Sequence, residues 1–183
     1  MEHRAGEEIL SKSSSPSPFH EEDSGNLANR PCGTLLAMSV LSYVVRRVQG
    51  EREMEAALAL RHDVFCLEQG VPEYEELDGR DADGVHLAAV AGEDLVGTCR
   101  LLKVGQTVQF SRLAVRADAR RQGIGTALLA LADSQTRAMR GRRLVLHAQT
   151  YARGLYEQAG YRARGHAFIE AGIEHIAMEK VLA

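Results

Sequence analysis

Apolar positions fall into short runs with two different periods along the chain, and the changes of period mark out its elements. Tyr43 to Val48 (YVVRRV) has the β-branched character of a strand, and Glu51 to Gln69 carries Met54, Ala57, Leu58, Val64 and Phe65 on one helical face. Residues 71–84 (VPEYEELDGRDADG) keep neither period and read as a loop. Two strands follow, Val85 to Ala91 and Leu95 to Leu102, joined as a hairpin by Gly92-Glu93-Asp94, and Thr107 to Val115 is a further strand. Ile124, Ala127, Leu128 and Leu131 mark a helix that runs to about Arg140 and is stopped by Gly141. LVLHA (144–148) reads as a buried strand. Ala152, Leu155, Tyr156 and Ala159 give a short helix ending at Gly160, and a final strand covers about His175 to Val181. Hairpin strands followed by strand-helix-strand units predict an α/β (α+β) fold with a mixed sheet and helices on both faces.

The first 40 residues break this pattern. Ser11 to Arg30 is rich in Ser, Pro and acids, and it has too few apolar side chains to offset the entropy of ordering it. Residues 1–40 are therefore expected to form a disordered tail, and residues 41–183 a single domain. Acids precede any apolar run, so the tail does not read as a signal peptide, and Met38 stands where an alternative translation start would lie. The chain has 183 residues, 45% hydrophobic, 26% charged and 5% aromatic, which is globular composition rather than disordered, collagenous or membrane composition. No apolar run approaches the roughly 20 residues of a membrane span, so no membrane partner is expected.

Charge narrows the choice of ligand. The net charge is −3, and residues 1–42 carry Glu2, Glu7, Glu8, Glu21, Glu22 and Asp23 against Arg4, Lys12 and Arg30, which leaves the rest of the chain balanced. A balanced body has no general attraction for nucleic acid or anionic lipid, so any anion must be held by a local site. Cys32, Cys66 and Cys99 are odd in number and include no CxxC, and no HExxH spacing occurs; neither a disulfide framework nor a metal site is expected, and a reducing cytoplasm is the expected compartment.

The segment most informative about chemistry is Phe110 to Leu129 (FSRLAVRADARRQGIGTALL): a strand, a basic loop with two glycines, then a helix. Gly123 and Gly125 permit close backbone approach, and the first-turn N–H groups of a helix lack helical acceptors, an arrangement suited to phosphate. Arg120 and Arg121 add positive charge, and Thr126 adds a hydroxyl. A plain strand-to-helix turn with solvated arginines fits the same residues. The dinucleotide fingerprint wants a third glycine where Leu128 stands, and the P-loop wants a GK[ST] that is absent.

LAVRADARRQGIGTALL resembles motif A of the GNAT N-acetyltransferase superfamily, whose Q/R-x-x-G-x-G/A signature is met by Arg120, Gly123 and Gly125. HAQTYARGLYEQAGY resembles the family's later block. VFCLEQGVPEYEELDGRD, His86, GTCRLL, SRLAV, LHAQ and FIEAGIEHIAM are similar, in order and spacing, to the ElaA/YjcF-like branch. The departures are Arg121 where Gly is frequent, His147 where Asn is common, and Leu155 and Tyr161 where Phe is usual.

The resemblance implies a twisted, mostly antiparallel sheet and acetyl transfer from acetyl-CoA, without metal, to a primary amine, in the first instance of a small molecule. It implies that Arg120, Arg121, Gln122, Gly123, Ile124, Gly125 and Thr126 hold the diphosphate. Leu113, Ala114 and Val115 would hydrogen-bond the pantetheine arm, and Tyr156 would protonate the departing sulfur. Tyr156 also fits simple core packing. Glu68, Gln69, Glu76, Asp78 and Asp81 form an acidic group suited to a cationic amine, with Glu68 the preferred base, although each also fits a cap or a solvated charge. Arg100, Gln149 and His175 are the expected substrate contacts; a salt bridge is the other reading for Arg100 and for Arg112. A homodimer is the association that the resemblance suggests. The alternative class is a GNAT-like module that binds acetyl-CoA as a sensor or docking domain without turnover.

Overall fold

A computed structural model describes residues 41–182. The expected tail and Cys32 lie outside the described residues. The elements are β1 (Val44–Arg47), α1 (Gly50–Arg61), α2 (Glu73–Glu76), β2 (Val85–Ala91), β3 (Asp94–Val104), β4 (Thr107–Val115), α3 (Ile124–Ala138), β5 (Arg143–Gln149), α4 (Arg153–Gln158), β6 (Arg162–Glu170) and β7 (Ile173–Val181). Among the described residues the strands form one seven-stranded sheet in the order β1-β2-β3-β4-β5-β7-β6. All neighbours are antiparallel except β4 and β5.

The two faces of the sheet are covered by different helices, as the alternating burial of its strands requires. On one face Ile124, Leu128, Leu129 and Ala132 of α3 pack with Leu87, Val96, Leu101, Val108, Phe110, Leu144 and Leu146. Close approach is possible because β3 carries Gly97, where a Cβ would sit 2.6 Å from Ile124 Cγ2. On the other face Leu60, Val64 and Phe65 pack with Ala114 and Leu95.

Two local features differ from the periodicity. The helix expected over 51–69 is α-helical only to Arg61, and His62–Glu68 winds as a π-helix, a form concentrated at functional sites. Its apolar face continues across the change, so the sequence pattern carries no sign of it. The strand β6 was not expected at all. It is the sheet's edge and is exposed along nearly its whole length, Phe168 alone being half-buried, so no in-and-out alternation is imposed on its residues.

The loop between α1 and β2 is pinned by charge. Arg61 and Arg100 are completely or almost completely buried. Arg61 donates to Glu76 at 2.5 Å and to Asp81 at 2.6 Å; Arg100 donates to Asp78 at 2.5 Å and to Asp81 at 2.9 Å. His86 Nε2 lies 2.9 Å from the Asp81 carbonyl. Buried ions are tolerated when each is paired and hydrogen-bonded, as here, and removing one partner leaves its mate uncompensated.

Candidate active site

The parallel pair β4 and β5 is joined at only three positions, Thr107↔Arg143, Val108↔Leu144 and Gln109↔Val145. Beyond Gln109 the strands part, since β5 stays paired with β7 to its end and β4 stays paired with β3. A cleft of about 430 Å³ opens there, walled by Phe110 to Leu113 of β4, by His147 and Gln149 of β5, by Tyr156 of α4, and by the loops before β2 and β7.

The β4 wall is bulged. Thr98 pairs with Ala114 and Arg100 with Ser111, so Arg112 and Leu113 together oppose Cys99 and the regular ladder is interrupted there. Arg112 sits at φ 58, a left-handed conformation that costs a non-glycine residue about 1–3 kcal/mol and persists only where surroundings hold it. Its guanidinium donates to the carbonyl oxygens of Glu75 at 2.8 Å and Glu76 at 2.9 Å, which ties the bulge to the loop across the cleft.

Past the bulge, the Arg116 N–H donates to Val96 O at 3.0 Å, and a short 3₁₀ turn over Ala117–Ala119 leads to Arg121 at φ 61 and Gly123 at φ 81. The helix α3 then starts with no side-chain cap and no acid in its first turn. Its leading N–H groups therefore have no protein acceptor among the described residues, and the positive end of the helix dipole is uncompensated. The loop side chains have other tasks. Gln122 accepts the Leu41 N–H at 2.8 Å, its carbonyl accepts the Tyr43 hydroxyl at 3.2 Å, and Ile124 is buried in the core. Only backbone amides, with exposed Arg121 and Thr126, remain for a ligand at this end.

Arg120 and Glu68 were expected in separate roles, one on the cofactor and one as base, and the structure brings them to each other. Both terminal nitrogens of Arg120 donate to the Glu68 carboxylate at 2.6 Å, and Nε donates to Val115 O at 3.0 Å. Glu68 is not part of the cleft wall. The Arg120 guanidinium holds its carboxyl below the usual range, the wrong direction for a proton acceptor. The expected acidic group is likewise engaged. Glu76 faces Arg61, while Asp78 and Asp81 face Arg100, which is a buried structural partner rather than a free substrate contact. Arg100 does line the floor of the cleft.

Tyr156 is buried on α4 with its ring edge-on to Phe110 at 6.4 Å and to Tyr161 at 6.0 Å between centroids. Burial pushes its phenol far above the ordinary value, so it is protonated at neutral pH. Among the described residues its hydroxyl has no hydrogen-bond partner, and the residue lines the cleft. Gln149 donates to Gln69 at 2.8 Å and accepts from the Tyr151 hydroxyl, so these three side chains bridge the two walls. His175 also lines the cleft, with Nδ1 donating to Ile173 O at 2.8 Å. Two further cleft residues, Arg112 of the bulge and His147, read from the sequence only as ambiguous candidates, and Glu170, whose Oε2 lies 2.9 Å from His147 Nδ1, was missed. Glu170 gave no signal because its strand gave none.

A sheet parted at the one parallel pair among the described residues, with an uncapped helix start nearby, is an arrangement that could hold an elongated ligand with an anionic end. The acetyltransferase (GNAT) domain family model matches residues 59–182, and the chain belongs to that family. The uncharacterized N-acetyltransferase YjcF of Bacillus subtilis (strain 168) is 29% identical over 133 residues, covering 72% of this chain and 95% of YjcF. An acyl-CoA N-acyltransferase from Pseudomonas aeruginosa is 30% identical with a TM-score of 0.67, covering 77% of this chain and 100% of that one. Escherichia coli ElaA, 24% identical, shares the fold at a TM-score of 0.67 over 76% of this chain and 98% of its own. The resemblance read from the motifs is thereby established.

Proposed function

We propose that the protein transfers the acetyl group of acetyl-CoA to a primary amine, in the first instance that of a small molecule. The observation that carries this reading is the uncapped start of α3 beside the β4–β5 cleft. A diphosphate at the amides of residues 121–126 satisfies donors that nothing else satisfies, and the helix dipole adds about 0.3–1 kcal/mol, up to ~2 when partly buried. The edge of β4 from Leu113 to Val115, which β5 leaves unpaired, suits the amide-bearing pantetheine arm, which would run down the gap between the strands.

The acetyl carbonyl then meets the backbone amides at the bulge. Donors fixed in advance are matched to the oxyanion that forms when a neutral amine adds to the carbonyl. As the adduct collapses the C–S bond breaks, and the phenol of Tyr156 gives its proton to sulfur. Burial keeps the phenol protonated at neutral pH, so a proton is at hand as the thiolate develops, while the same burial makes it a weaker acid. The amide nitrogen sheds its extra proton in the same collapse, and the phenolate recovers one.

Calorimetry with acetyl-CoA and a thiol-release assay over tyramine, histamine, spermidine and a lysine peptide test the reading. Heat on titration together with amine-dependent CoA release supports it; absence of heat overturns it. Heat without release for any amine favours a binding module.

A further inference from the structure

We infer that His147 is the general base that removes the proton from the acceptor's ammonium group, with Glu170 as the positioning residue that fixes its tautomer. This rests on the acetyl-transfer reading. Along β5 the side chains of Leu144, Leu146 and Ala148 enter the core beneath α3, so those of Val145, His147 and Gln149 project from the opposite face. Gln109↔Val145 is the last joined pair, which puts His147 at the point where the strands separate, on the face away from α3 and α4. Tyr156 comes from α4, on the α3 side. The two groups therefore reach the parting from opposite faces of the sheet.

The ring is oriented from two directions. A carboxylate can only accept, so the Nδ1 that lies 2.9 Å from Glu170 Oε2 carries the hydrogen, and Nε2 is left with a lone pair. Among the described residues nothing is hydrogen-bonded to Nε2. Phe168 meets the ring edge-on at 4.9 Å. Glu170 is delivered by a tight turn in which Ala171 stands at φ 50 and Gly172 at φ 75; such a turn normally avoids alanine.

Most other groups facing His147 are already paired. Arg164 shares a small hollow with it and is paired with Glu179 at 3.0 Å. His175 is tied to a carbonyl, Asp78 to Arg100, and Arg112 to the Glu75 and Glu76 carbonyls. Glu75 also faces the cleft, and its Gln variant is the control in the pH-profile test. The His147–Glu170 pair is about half exposed on both sides, so it adds little to stability, which separates a catalytic role from a structural one.

The step balances simply. R–NH₃⁺ gives one proton to Nε2, and the resulting R–NH₂ attacks the thioester carbon. After the thiol and amide have formed, the imidazolium returns its proton to water.

The test is the pH profile of kcat/KM, from pH 5.5 to 9.5, for the fastest amine of the panel. Wild type is expected to show an acidic limb that depends on His147. His147→Gln should lose at least 30-fold at pH 7 and follow the free-amine fraction instead, with unchanged Tm and acetyl-CoA affinity. Glu170→Gln should keep the limb but move it to lower pH. A limb that survives in H147Q, or that vanishes in E75Q instead, overturns the assignment. If wild type binds acetyl-CoA but turns over no amine, the transfer reading fails separately. Imidazole ¹⁵N shifts then decide the tautomer: Nδ1–H at pH 8.5 in wild type, redistributed in E170Q, is expected, and Nε2–H in wild type overturns it.

Discussion

Replacing Tyr156 by Phe separates packing from proton transfer. The ring sits against Phe110 and Tyr161, and a phenylalanine ring keeps both edge contacts. The lost hydroxyl has no hydrogen-bond partner among the described residues, so no buried group is left unsatisfied; stability should change by less than about 0.5 kcal/mol. Tyr156→Ala would instead open a cavity and cost about 3–5 kcal/mol. If the phenol protonates the departing sulfur, the Phe variant loses a general acid, an effect of about 10²–10⁴-fold in rate or about 3–5 kcal/mol of barrier. The assay is thiol release at saturating acetyl-CoA, with Tm recorded alongside and acetyl-CoA affinity measured by calorimetry. The expected result is kcat reduced at least a hundredfold with affinity and Tm held. A kcat within threefold of wild type would refute the reasoning, because it would show that sulfur leaves without a proton from this residue.

Thr126→Asp puts a negative charge in the first turn of α3, which should stabilise the unliganded protein by about 0.3–1 kcal/mol in thermal melts while raising KM for acetyl-CoA at least tenfold; the same sign for both would sink the anion-site argument. Arg112→Gly relieves the left-handed strain and Arg112→Ala does not, so in urea melts the Gly variant should be the more stable by about 1 kcal/mol. Both variants lose the donations to Glu75 and Glu76, and thiol release should show both at least tenfold lower in kcat/KM. Burial lowers the pKa of His86, so the unfolded ring binds a proton near pH 6.5 that the folded ring refuses, and stability present above that pH is lost on acidification below it. Arg100 holds the Asp78 carboxyl low, and Arg61 with Arg100 pulls Asp81 down despite its burial. Their stabilisation is present above about pH 4 and disappears as pH falls through the folded values, so urea melts from pH 8 to 2 should show two stages.

Local signals made most of the fold legible. The strands β2 to β5 alternate or run apolar because they are central, and α3 is bracketed by Gly123 and Gly141. The glycine-flanked start of α3 was legible too, since glycine spacing is a property of a few consecutive residues. Tertiary pairings were not. Glu68 and Arg120 lie 52 positions apart, and each read as a free charge, one acidic and one cationic, until the π-helical end of the first helix brought them together. His147 and Glu170 meet because β6 returns along β7 at an exposed edge where composition is unconstrained. The bulge hides for a different reason. Arginine at φ 58 violates the preference that makes bulges readable, and the carbonyls and carboxylates of a distant loop hold it there.

That loop links the buried charges to the cleft. Arg61 and Arg100 fix Glu76, Asp78 and Asp81, and the same segment offers the Glu75 and Glu76 carbonyls to Arg112. Arg61→Met would leave Glu76 buried with its partner gone, a loss of about 3–5 kcal/mol. The damage should travel further than stability, because a loosened loop no longer holds the bulge that walls the cleft. A folded variant of this kind should thus lose kcat while its affinity for acetyl-CoA, set at the other end by α3, is retained.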